Sequence, residues 1–231
     1  MKLRPQFTCF AWGSVPRLWD VTPCREFQIK LCQHIPMDII LASSSKYRAQ
    51  LLEQLALPFR QLAPQLDEEK LKVQLELEHP NNPKQIAIAL AEAKARSIHQ
   101  PNSVVIGGDQ LVNLNGKILA KPGTHLQAIN QLTSMQNHTH ELITAICLTY
   151  QNQTFHLCDI TKLTMRKLTT EQIEKYLLQD TPYDCAGSYK LEKHGIALFE
   201  KIESQDFSAI QGIPLIALMN LLDNLGIKAF S

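Results

Sequence analysis

Asp38-Ile39-Ile40-Leu41-Ala42-Ser43-Ser44-Ser45-Lys46-Tyr47-Arg48 is the stretch on which the fold turns. Its apolar run ends abruptly in three serines, the pattern of a short buried strand running into a turn. Beyond the serines, Leu51, Leu52, Leu55 and Leu57 recur at helical spacing, which predicts a helix over 47–57 with a serine as N-cap. The chain thus opens strand, serine turn, helix. Working outward, a second helix is expected over 83–99 and a second buried strand over 103–108, ending in Gly107-Gly108. A hairpin is expected over 111–120, because Asn115-Gly116 separates two apolar runs. A helix over 126–135, strands over 142–150 and 154–164, and helices over 170–178 and 213–225 complete the pattern. Strands and helices alternate with antiparallel elements inserted, so the expected class is α/β with a mixed central β-sheet flanked by helices.

Residues 1–36 break this regularity: they hold both tryptophans and half of the cysteines and show no sustained period. We read them as an N-terminal extension, disordered or a start-site artefact, with one domain over 37–231. The net charge of +1 and 19% charged residues carry no basic excess of the kind that non-specific nucleic-acid binding needs. The six cysteines form no CxxC pair and no zinc-ligand spacing, which reads as free thiols in a reducing compartment. No apolar stretch approaches the roughly 18 residues that span a bilayer. The expected location is therefore the cytoplasm, with no membrane partner.

Three places carry candidate chemistry. Ser43-Ser44-Ser45 at a helix N-terminus offers backbone amides and hydroxyls to an anion, and Arg48 follows to close on a phosphate oxygen. Asp109, after the second buried strand and its two glycines, stands where ligands gather in α/β sheets and can hold a hard cation or orient water. Asp67-Glu68 follows Ala63-Pro64; in an extended segment their side chains point opposite ways, so one of the two would join Asp109 at a metal. Lys94 and Lys121 can balance triphosphate charge. The third place is the small-residue turn Asp184 to Glu192, where Glu192 can accept two parallel hydrogen bonds from a guanine edge. His140 and His194 show no ligand spacing.

In order along the chain, LASSSKYR at 41–48, APQLDEE at 63–69, AEAKA at 91–95, GGDQ at 107–110, AKP at 120–122, THELITA at 139–145, DCAGSYKLE at 184–192 and GIPL at 212–215 resemble the motifs of the Maf family of nucleotide pyrophosphatases. The resemblance covers 37–226 and implies a two-lobed, Maf/ITPase-like fold with a substrate cleft, a divalent metal cofactor (Mg, Mn or Co) and a homodimer. It implies Asp109 as the catalytic acidic residue and possible metal contact. Ser43, Arg48, Glu68, Lys94 and Lys121 match the other polar site positions, Glu68 on the metal side. The implied reaction is attack of water at the α/β anhydride of a nucleoside triphosphate, releasing the monophosphate and pyrophosphate.

Three positions bear on the substrate. Family members acting on dTTP and UTP resemble one another in arginine at the Tyr47 position, threonine at the Gln110 position and glutamine at the Glu192 position. This chain departs from all three and resembles the branch acting on 7-methyl-GTP, although tryptophan is expected there at Tyr47. N7-methylation makes guanine cationic, which an aromatic face attracts, and Glu192 would accept from N1–H and the N2 amino group. The alternatives are a dTTP/UTP or broader modified-nucleotide pyrophosphatase and, in another class, a nucleotide-binding regulator of cell division.

Overall fold

The protein is described from a computed structural model covering residues 38–230; the expectations for 1–36 lie outside the described residues. The elements are β1 (Asp38–Ala42), α1 (Lys46–Glu53), β2 (Phe59–Leu62), α2 (Glu68–Glu78), α3 (Pro83–Arg96), β3 (Ser103–Leu114), β4 (Lys117–Leu119), α4 (His125–Met135), β5 (Thr139–Tyr150), β6 (Gln153–Met165), α5 (Thr170–Asp180), β7 (Phe199–Glu203) and α6 (Leu215–Asn224). The strands form one sheet in the order β2-β1-β3-β5-β6-β7, with β4 paired to β3 outside that path. β1 runs parallel to β2 and β3, and the remaining pairs are antiparallel. The expected mixed α/β sheet is what the chain forms.

The apolar runs of β1 and β3 are explained by cover on both faces. On one face Ile39, Leu41, Val104, Ile106, Ile146 and Leu148 pack against α1 and α6 through Leu51, Leu52, Leu218 and Leu222. On the other, Ile40, Ala42, Val105, Ile143 and Ala145 lie under Ile86, Ala87, Leu90, Ala91 and Ala95 of α3. A third cluster, with Val112, Leu142 and Leu163, is closed by α4 and α5.

Several expectations need correction. β3 does not end at Gly108: it runs on to Leu114, because β5 pairs with it as far as Asn113. The first helix stops at Glu53, short of residue 57; Ala56 takes φ 53° and the chain turns into β2. Residues 67–68 are not extended: Asp67 is the N-cap of α2, its side chain accepting from Lys70 N at 3.0 Å, and Glu68 is the first helical residue. α2 itself escapes sequence reading because Leu71, Val73, Leu75 and Leu77 alternate with polar residues at the period of a strand, and only Leu75 is fully buried. β2 and β7 are likewise unassigned by pattern, being short edge strands of mixed polarity.

Candidate active site

The site grows from the alternation of side chains along β3. Successive residues face opposite sides of a strand, so Gly107 and Asp109 share one face and Gly108 and Gln110 the other. At Gly107 an added Cβ would lie 2.3 Å from the Ala91 carbonyl oxygen and 2.5 Å from Ala95 N. Only glycine lets α3 lie this close, and the approach delivers Lys94 to Asp109. On the opposite face a Cβ at Gly108 would meet Ile146 Cδ1 at 2.8 Å and Arg48 Nε at 3.2 Å, so this glycine makes room for the arginine. Asp109 stands inside β3, opposite Ala145 of β5, rather than past a strand end. Its neighbour β1, however, ends with Ala42 opposite Gly107, so the carboxylate emerges just beyond the carboxyl end of β1.

Lys94 Nζ lies 2.8 Å from Asp109 Oδ1 and 2.7 Å from Glu68 Oε2. The ammonium is almost fully buried, Asp109 is buried and Glu68 is half-exposed. One cation therefore holds two carboxylates, and of the acidic pair it is Glu68 that turns inward while Asp67 caps its helix. Asp109 Oδ2 is buried with no hydrogen-bond partner. An orphaned carboxylate oxygen is costly unless it serves a ligand. It fits a hydrogen bond from water or a contact to a hard cation. Among the described residues no group of three or more His, Cys, Asp or Glu side chains converges on a metal position. Two carboxylates suit the mode in which magnesium is shared between a few acidic residues, water and substrate phosphate, rather than an all-protein cage.

Ser43 is buried and held from several sides. Its amide donates to the Leu41 and Leu62 carbonyls at 3.0 Å each, and its carbonyl accepts from Gln61 Nε2 at 2.8 Å. Its hydroxyl accepts from Ser45 N at 3.2 Å and from an Arg48 guanidinium nitrogen at 3.4 Å. Arg48 Nε also donates to the Gly212 carbonyl at 3.2 Å, an anchor in the GIPL motif to which sequence reading assigned no role. Burial holds the Arg48 guanidinium below its ordinary value, opposed by the charges of Asp109 and Glu68. Gln110 spends its side-chain nitrogen on Thr144 Oγ1 at 2.9 Å and on the carbonyls of Ala209 and Ile210 at 3.0 and 3.1 Å. It thereby fastens the short helical turn Phe207–Gln211 that leads to Gly212.

A cavity of about 760 Å³ is lined by Ser43, Tyr47, Arg48, Glu68, Lys94, Asp109, Gln110, Lys121 and Glu192, every site residue named from the sequence. Lys46, Asp184, Cys185 and Tyr189 also line it. Glu68 of α2, Lys94 of α3, Asp109 of β3 and Arg48 of α1 lie together, since Lys94 bonds both carboxylates and their charges act on Arg48. Tyr47 lies near Asp184, Lys190 and Glu192, whose charges act on its hydroxyl. Burial raises the Tyr47 hydroxyl while nearby Lys190 opposes it. Lys190 Nζ pairs with Asp184 at 2.9 Å; against the cost of burial, this keeps the lysine above and the aspartate below their ordinary values.

The loop carrying Glu192 is fixed from beneath. Buried Asp180 of α5 accepts from His194 N at 3.1 Å and contacts its Nδ1 at 2.6 Å, and Tyr176 OH accepts from Lys190 N at 2.9 Å. His194 is thus a loop anchor. His140 is buried under the cavity wall, its Nε2 3.1 Å from Tyr189 OH and its ring packed against Tyr189 and Phe199, which also touch each other. Burial pulls its pKa down to about 4, so the imidazole is neutral at pH 7. Cys147, Cys158 and Cys185 are free thiols, pushed up by burial to about 12, 11 and 12, respectively, which keeps them protonated. No helix among the described residues is long and apolar enough to cross a membrane.

Comparison with known proteins converges on one group. The family profile described as Maf-like protein matches residues 38–225. A 7-methyl-GTP pyrophosphatase of Bdellovibrio bacteriovorus is 52% identical over 186 residues, covering 80% of this chain and 96% of that protein. Proteins of the same name from Xanthomonas oryzae pv. oryzae and Nitrosococcus oceani are 42% and 40% identical, over 81% and 83% of this chain and 96% and 94% of their own lengths.

Proposed function

The chain belongs to the Maf-like protein family, and from that premise we infer that it is a nucleotide pyrophosphatase that converts 7-methyl-GTP to 7-methyl-GMP and pyrophosphate. The observation that carries the chemistry is the buried pair of Lys94 with Asp109, a residue that lines the cavity and whose second oxygen has no protein partner.

In this reading Asp109 Oδ2 accepts a hydrogen bond from the attacking water and takes its proton as the oxygen bonds to the α-phosphorus. The bond from the α-phosphorus to the bridging oxygen breaks, and pyrophosphate leaves with that oxygen. Lys94 holds the Asp109 carboxylate aimed, while Arg48, Lys121 and the Ser43 hydroxyl meet the phosphate oxygens. Glu68 and Asp109 would hold a divalent cation, which when bound supplies neutralisation of phosphate charge. Tyr47 offers its ring face to the cationic base and Glu192 accepts from guanine N1–H and N2–H. Gln110 acts by fixing the 207–211 turn, since its amide nitrogen is already engaged. Its influence on specificity runs through the position of that wall.

The test is product analysis with magnesium or manganese and a panel of 7-methyl-GTP, GTP, UTP, dTTP and CTP. Preferential release of 7-methyl-GMP with pyrophosphate, lost in Asp109→Asn, is the expected result. Preferred turnover of UTP or dTTP would overturn the substrate, and intact nucleotides throughout would overturn the activity.

A further inference from the structure

Two irregular segments of the cavity wall come from distant parts of the chain. One joins β4 to α4 and carries Lys121; the other follows α5 and runs from Asp184 to Glu192. They are tied together at one end, where Gly123 N donates to the Tyr183 carbonyl at 3.0 Å and His125 Nδ1 meets Tyr183 OH at 2.9 Å. The other end is closed by one side chain of α4. Gln131 Nε2 donates to the Ala120 carbonyl at 2.7 Å, and Gln131 Oε1 accepts from Ser188 Oγ at 2.7 Å. The two ties bracket Lys121 on one segment and residues 184–187 on the other. Ser188 is fully buried at φ 61°, a left-handed conformation that the surrounding contacts must hold. An amide supplies, on two atoms of one group, both a donor to a carbonyl and an acceptor for a hydroxyl.

We propose that Gln131 is a positioning residue that locks the Lys121 segment to the Asp184–Glu192 segment, so that one amide closes the second of two ties that hold the phosphate-binding cation and the base-reading loop in register. The inference rests on the proposed function for the roles of Lys121 and Glu192, but the tie itself can be read without turnover. Gln131 is not among the residues that line the cavity. It acts through the two segments it joins.

Three variants separate the arms. Gln131→Met keeps a good helix former and loses both bonds. Gln131→Glu keeps the Ser188 acceptor and puts a carboxylate against the Ala120 carbonyl, and Ser188→Ala cuts only the other arm. Amide hydrogen exchange of the nucleotide-free protein is measured beside steady-state kinetics on 7-methyl-GTP and UTP. Each lost arm is expected to raise exchange in its own segment and to raise KM for 7-methyl-GTP by roughly five-fold, the size of one net hydrogen bond. Gln131→Glu should speed exchange around 120–124 and leave the 7-methyl-GTP preference over UTP intact. Ser188→Ala should speed exchange around 184–192 and erode that preference. Gln131→Met should do both, while kcat at saturation changes less than KM. Exchange raised evenly across α4 and the sheet would mark a merely structural residue and overturn the proposal, as would exchange and KM within two-fold of the parent in all three variants. Failure of the parent to cleave 7-methyl-GTP would sink the proposed function and leave the exchange result standing.

Discussion

The phosphate part and the base part of the cavity are built in opposite ways. In the first, Lys94, Asp109, Ser43 and Arg48 sit on or beside strands and helices, buried or half-buried, and each is bonded to another member or to fixed backbone. In the second, Glu192 and Tyr47 are exposed, and the Glu192 loop is held by anchors lying beneath it, Tyr176, Asp180 and Tyr189 with His140. The difference teaches how one scaffold divides its tasks. Bond cleavage needs charges that do not reorganise during reaction, hence regular elements. Base choice needs a surface that changes without disturbing those charges, hence a loop for Glu192 and the exposed first turn of α1 for Tyr47.

The sharpest way to break this division is Asp109→Asn. It should lower kcat by roughly 10²- to 10⁴-fold while leaving the urea midpoint nearly unchanged, since the amide oxygen still accepts from Lys94. A large stability loss with modest loss of kcat would show that the pair serves folding instead. Gly107→Val probes the same region through its backbone. Driving a side chain into the Ala91 carbonyl and Ala95 N should destabilise by about 3 kcal/mol, measured by urea unfolding, and should cut activity by pushing Lys94 off Asp109.

The base part is tested by pH. His140 has a folded-state pKa depressed to about 4 from 6.5, so the unfolded chain binds the extra proton between these values. Its contribution to stability is complete above pH 6.5 and is lost as pH falls toward 4. His140→Gln, which keeps a partner for Tyr189 OH but does not titrate, should lessen the fall in stability across that window by on the order of 2 kcal/mol. An unaltered pH slope would remove His140 from the account. The smallest expected effect is Glu192→Gln, which should shift the ratio of 7-methyl-GTP to UTP turnover by about ten-fold with little change in stability. A ratio left as it was would mean that Glu192 does not read the base.

Legibility in the sequence followed how well local pattern agrees with final burial. The β1-serine-α1 opening and the β5–β6 pair were readable because their apolar periods agree with their final burial. α2 was not, because its leucines alternate like those of a strand and few of them are buried. Asp109, Arg48 and Lys94 stand out as polar residues set in apolar or small-residue surroundings. Gln61, Thr144 and Gln131 carry no comparable mark, since a polar side chain that bonds to a distant carbonyl looks like any surface residue until the fold is known.

By itself the sequence determined the layered α/β class, the serine turn at a helix N-terminus, the glycine pair before Asp109 and, through ordered motifs, the family. These depend on backbone preferences and short-range periodicity, which adjacent residues encode. Only the tertiary structure decided that Lys94 bonds Glu68 and Asp109 together, that Gly107 and Gly108 serve opposite faces, and that Gln131 joins two segments of the cavity wall. Such facts depend on contacts between residues far apart in the chain, as far as the 164 positions between Arg48 and Gly212, and they exist only once the sheet has brought its elements together.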